Sequence, residues 1–362
     1  MLKMPEPMSR RKKGRRRYWI WIFPILLAAG GVLYGQDLLR YAQVRFSSDS
    51  LLRLEDRTAA FLSSYERLKR MEPPRGSENP AEEPFFKLQT ALYQQIDENR
   101  KIIEIIARNE DDPGTMAALR GKYAMFELLL RIHLDSRNLV ELAGRGFLPP
   151  QRPTLLEEKS PGDLAFQVSQ YMRRALAYDP DAEYASVAHL GVALGDLMYF
   201  GRTDLAILDH LRAIEPAKLP PELREERLWI SAALYCLLGQ PEDLDKLLKE
   251  PGLSPEPGTS AESESTGLEN YLTNYQKQLL HGYALFQAKR YMQALYSVRT
   301  VKYDQSIPSF YRAEAARMEG EINGKQNGPY FAIPYLEEAL RISGDEDPFL
   351  RERLSSFLPK SR

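Results

Sequence analysis

The residue types that carry catalysis are all present in this chain, but not at the spacings catalysis needs. Its four histidines, His133, His189, His210 and His281, stand far apart in sequence, and none belongs to a His-Glu-x-x-His pair. Cys236 is the only cysteine, so neither a Cys-x-x-Cys motif nor an intrachain disulfide can form. No glycine-rich phosphate loop and no nucleophile elbow is written anywhere. Carboxylates are plentiful but alternate with Lys and Arg, as on solvated helix faces. Glu262–Glu264 sits among serines, which is linker composition and not a metal site. The pattern predicts no catalytic centre, no metal and no cofactor. The histidines are expected to be surface or interhelical polar residues, and Cys236, in an apolar helix, part of a core.

The elements around these residues read as helices. Almost no segment alternates as a strand does, so the fold class expected is all-α. Hydrophobic residues make up 43% of the chain, enough for a packed core. Residues 36–72 carry Leu38, Leu39, Ala42, Leu51, Leu54, Phe61, Leu62, Tyr65 and Leu68 at helical spacing. They read as a membrane-proximal stalk of one or two helices. Residues 73–84, PPRGSENPAEEP, have linker composition. Over 85–144, two long helices (85–109 and 116–143) form a hairpin around Asp112-Pro113-Gly114. The stretch Gly144–Pro161 reads as a Pro- and Gly-rich loop. Residues 251–267, PGLSPEPGTSAESESTG, are too poor in apolar side chains to fold and read as a disordered linker. Asp347–Leu358, within 346–362, looks like a capping helix over the last apolar face.

The charge is lopsided. Residues 1–17 hold eight Lys/Arg and one Glu, a net of +7, while the other 345 hold 41 Lys/Arg and 49 Asp/Glu, a net of −8. The basic tail abuts Tyr18–Gly35, YWIWIFPILLAAGGVLYG, which carries no charge. Eighteen helical residues reach ~27 Å, close to the ~30 Å hydrocarbon layer. Tyr18, Trp19 and Trp21 on one side and Tyr34 on the other supply interfacial rings. These features predict a single-pass anchor with a cytoplasmic tail held to anionic lipid. The alternative is a signal peptide cut near Ala28-Ala29-Gly30, which would release a soluble chain. The acidic remainder argues against nucleic acid as a partner. No Asn-x-Ser/Thr site and no disulfide point to an extracellular domain, and a bacterial periplasm fits both absences.

Self-similarity recurs at a 38-residue offset. It relates Gly201 to Gly239, Gly282 to Gly320, Ala294 to Ala332, Val301 to Ala339, and Ala175 to Ala213. Leu194-Gly195, Gly201, Ala206-Ile207, Ala213-Ile214 and Pro216 fall in one register. Ala175-Leu176-Ala177-Tyr178-Asp179-Pro180 ends another unit. Leu228, Ala232, Tyr235 and Gly239, then Gly282, Tyr291 and Ala294, then Ala332-Ile333 and Ala339-Leu340, mark three more. Small residues at such spacing let helices close on one another, and Pro ends a helix. These residues resemble the tetratricopeptide repeat (TPR), a helix–turn–helix unit of ~34 residues. The resemblance covers 162–250 and 268–345. Two departures stand out: a Gly324–Gly328 insertion, and Pro334 inside the last second helix.

The resemblance implies an α-solenoid whose first helices line a groove. Carried over by spacing, the groove positions are Val192, Asp196, Tyr199 and Phe200, then Glu226, Trp229 and Cys236, then Tyr283, Phe286 and Gln287. Trp229, Tyr199, Phe200, Tyr283 and Phe286 are the expected partner contacts. The groove they imply suits an apolar or amphipathic segment. The layout implied is a non-enzymatic scaffold facing the periplasm from a bacterial inner membrane. Families so built serve envelope assembly, secretion or the periplasmic collar of spirochaetal flagellar motors. A docking subunit of an envelope enzyme, and a ring subunit made of like or unlike chains, stay open beside it.

Overall fold

The computed structural model describes residues 53–71, 80–108, 112–132, 136–146, 152–155, 160–200, 205–249, 272–344 and 347–358. The basic tail, Tyr18, Trp19, Trp21, Tyr34 and the 251–267 linker lie outside the described residues. Among the described residues the chain is all-α, with fourteen helices and no strand, and no helix is long and apolar enough to cross a membrane.

The helices are α1 (53–69), α2 (Pro84–Ile106), α3 (Pro113–Arg131), α4 (Ser136–Arg145), α5 (Pro161–Tyr178), α6 (Ala185–Phe200) and α7 (Ala206–Ala213). They continue as α8 (Pro221–Leu237), α9 (Pro241–Leu248), α10 (Asn274–Gln287), α11 (Tyr291–Tyr303), α12 (Ser309–Asn327), α13 (Ile333–Ser343) and α14 (Pro348–Phe357). Proline starts many of them. Pro84, Pro113, Pro161, Pro221, Pro241 and Pro348 each open a helix, where the missing N–H costs nothing and the fixed φ suits the first turn. Side-chain caps complete several starts. Asp112 accepts from the Gly114 N–H, Ser160 from Asp163, and Asp347 from Phe349 and Leu350. Thr273 and Gln276 form a reciprocal capping box on α10.

α5 packs between α3 and α6, and the hairpins α6–α7, α8–α9, α10–α11 and α12–α13 pair successive helices. The 38-residue offset proves to be a packing equivalence in the later units. A Cβ on Gly282 would meet Val298 of α11, and one on Gly320 would meet Tyr335 and the Ala332 carbonyl. Ala294, Ala332, Val301 and Ala339 are all buried. The earlier pair fails the test, since Ala175 is buried and Ala213 is exposed. At the α8–α9 and α10–α11 turns the backbone repeats itself: Gly239 and Lys289 both have positive φ. In each turn the residue after them donates back to a carbonyl one turn up the helix, Gln240 to Tyr235 and Arg290 to Leu285.

Several expectations need correction. The segment 53–71 is not the outer end of a stalk. α1 buries Leu54, Phe61, Leu62, Tyr65 and Leu68 in the same continuous core that runs on to Ile322. The helix expected over 116–143 is two helices: Ile132 turns extended and caps α3, and the Arg131 carbonyl accepts instead from the Arg152 N–H. The hairpin over 85–144 is not a separate unit, because α3 packs mainly on α5 and α4 packs on α8 and α10. Gly324–Gly328 is not an inserted turn, since α12 runs through it to Asn327. Pro334 does not interrupt a helix, because α13 starts at Ile333 and the proline falls in its first turn. α14 lies on α13, with Leu350 buried beside Ala313, Ala316 and Ala339.

Candidate functional site

The first helices α6, α8 and α10 present the positions expected to line a groove. At α8 and α10, two helices from earlier in the same chain cover that face. α1 reaches α8 at its C-terminal end, where the Tyr65 hydroxyl donates to Glu226 Oε1 at 2.9 Å. Lys69 Nζ lies 2.8 Å from Glu225, 3.1 Å from Glu226 and 3.2 Å from Glu66. At its other end Thr58 shares a 2.6 Å hydrogen bond with the Tyr123 hydroxyl, and Phe61 stacks on Phe126. α4 crosses α8 and α10 farther along. A Cβ on Gly144 would strike the Tyr283 ring, so glycine is what lets α4 close on α10.

The expected contact residues therefore separate into two sets. Trp229 is only 4% exposed and donates from Nε1 to Glu225. Tyr283 is 1% exposed and donates to Glu314. Val192 and Cys236 are buried, and the Cys236 thiol donates to the Leu280 carbonyl. Asp196 accepts from Ser169 and Arg173. Glu226 is held by α1. These side chains are spent inside the molecule, because helices of the chain itself occupy the face. Tyr199 stays exposed beside the Phe166 ring, with centroids 5.1 Å apart. Phe286 is half-buried against Tyr291, and Gln287 is exposed. The Phe200 side chain and His133 lie outside the described residues.

Buried charge is concentrated where helices meet. Arg145 Nε donates to Glu314 at 2.7 Å and its Nη2 to Asp347 at 2.7 Å. Arg317 grips the other oxygen of Glu314, then Glu321 and the Gly144 carbonyl. This network ties α4, α12 and α14 together, with Tyr283 of α10 on its edge. A second one, of Lys302, Glu319, Glu338 and Arg299, joins α11, α12 and α13. Burial alone would raise the Glu314 carboxyl, but the charges of Arg317 and Arg145 outweigh it and hold it below the usual value. Burial also pulls the Lys69 ammonium down, and Glu226, Tyr65, Glu225 and Glu66 reverse that, leaving it above its ordinary value. Burial raises the Cys236 thiol, which keeps it protonated. His189 and His210 share an Nδ1···Nδ1 hydrogen bond of 2.8 Å, and burial lowers both.

This chemistry is that of joints. In the two networks acids and bases are matched within hydrogen-bond range, whereas Lys122, lowered by burial, lies over the Phe126 ring; among the described residues no three His, Cys, Asp or Glu side chains are placed to hold a metal. Sequence reasoning missed the covering role of α1 and α4. The signal was present in the apolar stripe of 54–68, which a solvated stalk has no use for. It also missed the outward face of α11, where Met292, Tyr296 and Tyr303 stand free. Compared with known proteins, the chain matches no family model, no curated protein and no solved structure.

Proposed function

We propose that the chain is a non-enzymatic interaction scaffold: a TPR-like array of helical hairpins displayed from a bacterial inner membrane into the periplasm. The observation that carries the reading is where the polar chemistry goes. Two buried ion-pair networks fasten helices to one another, while large apolar side chains of α11 face outward. A rigid body with unsatisfied apolar surface is the physical form of a binding protein. The groove is not the binding face proposed, because α1 and α4 fill it. The basic tail and Tyr18–Gly35 supply the membrane address, and anionic lipid meets the tail. A structural ring subunit, such as one in the collar of a flagellar motor, is the second reading, favoured by the outward α11 face.

Alkaline extraction and protease accessibility test the address. The full chain is expected to stay with the membrane pellet, with its body cleaved only by protease added from the periplasmic side. Recovery in the soluble fraction, or cleavage from the cytoplasmic side, would overturn it.

A further inference from the structure

On α11, Met292, Tyr296 and Tyr303 are 70%, 76% and 63% exposed. They fall at i, i+4 and i+11, on one face of the helix. Among the described residues, α9 reaches only the first half of this face. α9 ends at Leu248 after 8 residues, whereas α11 runs for 13. Two shallow clefts result. One of about 510 Å³ lies between Asp245 of α9 and Tyr296, and one of about 490 Å³ runs from Met292 to Tyr303 along α11.

We propose that this face is a two-fold contact in which α11 packs antiparallel on α11 of a second copy of the chain. Met292, Tyr296 and Tyr303 span three turns of α11, the stripe that a second helix with exposed apolar surface would bury. α11 is itself such a helix. Methionine and tyrosine are the residues enriched at interfaces, and a two-fold contact uses one patch twice. The charges agree with the antiparallel sense. The acids Glu242 and Asp245 flank the beginning of α11, and Arg299 stands near its end. Glu242 is tied to Arg290 across the α9–α11 boundary, which sets α9 beside the first half of α11. An axis through Tyr296 brings Arg299 of each copy toward Asp245 of the other. Both partners are available: Arg299 pairs with Glu319 yet keeps 47% of its side chain exposed, and Asp245, 45% exposed, meets only His281 at 3.7 Å. Self-association of this kind stands whether or not the membrane reading holds.

Sedimentation velocity of the full chain in mild detergent is the test, with two variants beside it. The wild type is expected to sediment as a dimer. Tyr296→Arg should weaken the dimer by roughly tenfold or more and, at concentrations where both proteins are monomeric, leave the unfolding midpoint unchanged, since the side chain is exposed. Tyr296→Cys should form a disulfide-linked dimer under mild oxidation, because the two introduced sulfurs face each other across the axis. Cys236 is buried and does not compete. Tyr178→Cys, exposed on α5, is the control and should stay uncrosslinked. A chain that is monomeric throughout, a dimer indifferent to Tyr296→Arg, or crosslinking of Tyr296→Cys no faster than the control would each overturn the proposal.

Discussion

Lys289 is the one described residue other than glycine with positive φ, at 61°. It holds the position in the α10–α11 turn that Gly239 holds in the α8–α9 turn, with the same backward hydrogen bonds. A side chain in left-handed backbone costs roughly 1–2 kcal/mol, which glycine avoids. Lys289→Gly should therefore stabilise the chain by about 1 kcal/mol in urea unfolding. Gly239→Ala should do the reverse, because its Cβ would sit 2.7 Å from the Ala288 nitrogen. Glu314 tests the buried networks. Removing one member of a buried ion pair strands the rest, so Glu314→Gln should cost about 3–5 kcal/mol at neutral pH. The native carboxyl lies below its unfolded value of 4.5. Its stabilising share is thus full above that value and is lost as pH falls through the native one. The gap between wild type and variant should hold steady at neutral pH and narrow below 4.5; a gap that widened in acid would contradict the assignment.

Among the elements, α1 changes the reading of the chain most. Phe61 is fully buried and stacked at 4.8 Å on Phe126. Phe61→Ala should cost about 3–5 kcal/mol, and amide exchange over 53–69 should quicken more than over α12. A true stalk helix would show neither effect. The contrast explains what was legible in the sequence. Helix class, the small residues Gly282 and Gly320, and the terminal helix over Leu350 follow from local periodicity and size. Local pattern also shows that Leu54, Phe61, Tyr65 and Leu68 form a stripe. It does not say which surface the stripe meets, because Tyr65 and Glu226 are 161 residues apart. The groove list failed for the same reason. Trp229 and Tyr283 do sit on first helices, and only the tertiary path of α1 and α4 reveals that they are covered. Proline misled locally: Pro334 reads as a breaker in sequence and acts as a helix opener in the structure.

For the whole molecule, a single apolar core runs from Leu54 to Ile322. The 251–267 segment therefore divides the sequence without dividing the body. Across it, Cys236 donates to the Leu280 carbonyl and Glu242 pairs with Arg290. A protease site placed in that segment should, once cut, leave two fragments that co-elute and unfold in one transition; separate elution would show two independent domains. The placement of α1 also bears on mechanics. With α1 inside the body, the proposed anchor ending at Gly35 would stand about 17 residues from α1, which at ~3.4 Å each is at most ~60 Å. Any pull on the N-terminus arrives first at Leu54 and Thr58, whose hydrogen-bond partner Tyr123 lies on α3. Tension would thus peel α1 from its outer end before it loads α8, α10 or α12. Under the proposed anchoring, the helix that covers α8 would be the first part of the body to take up a movement of the membrane.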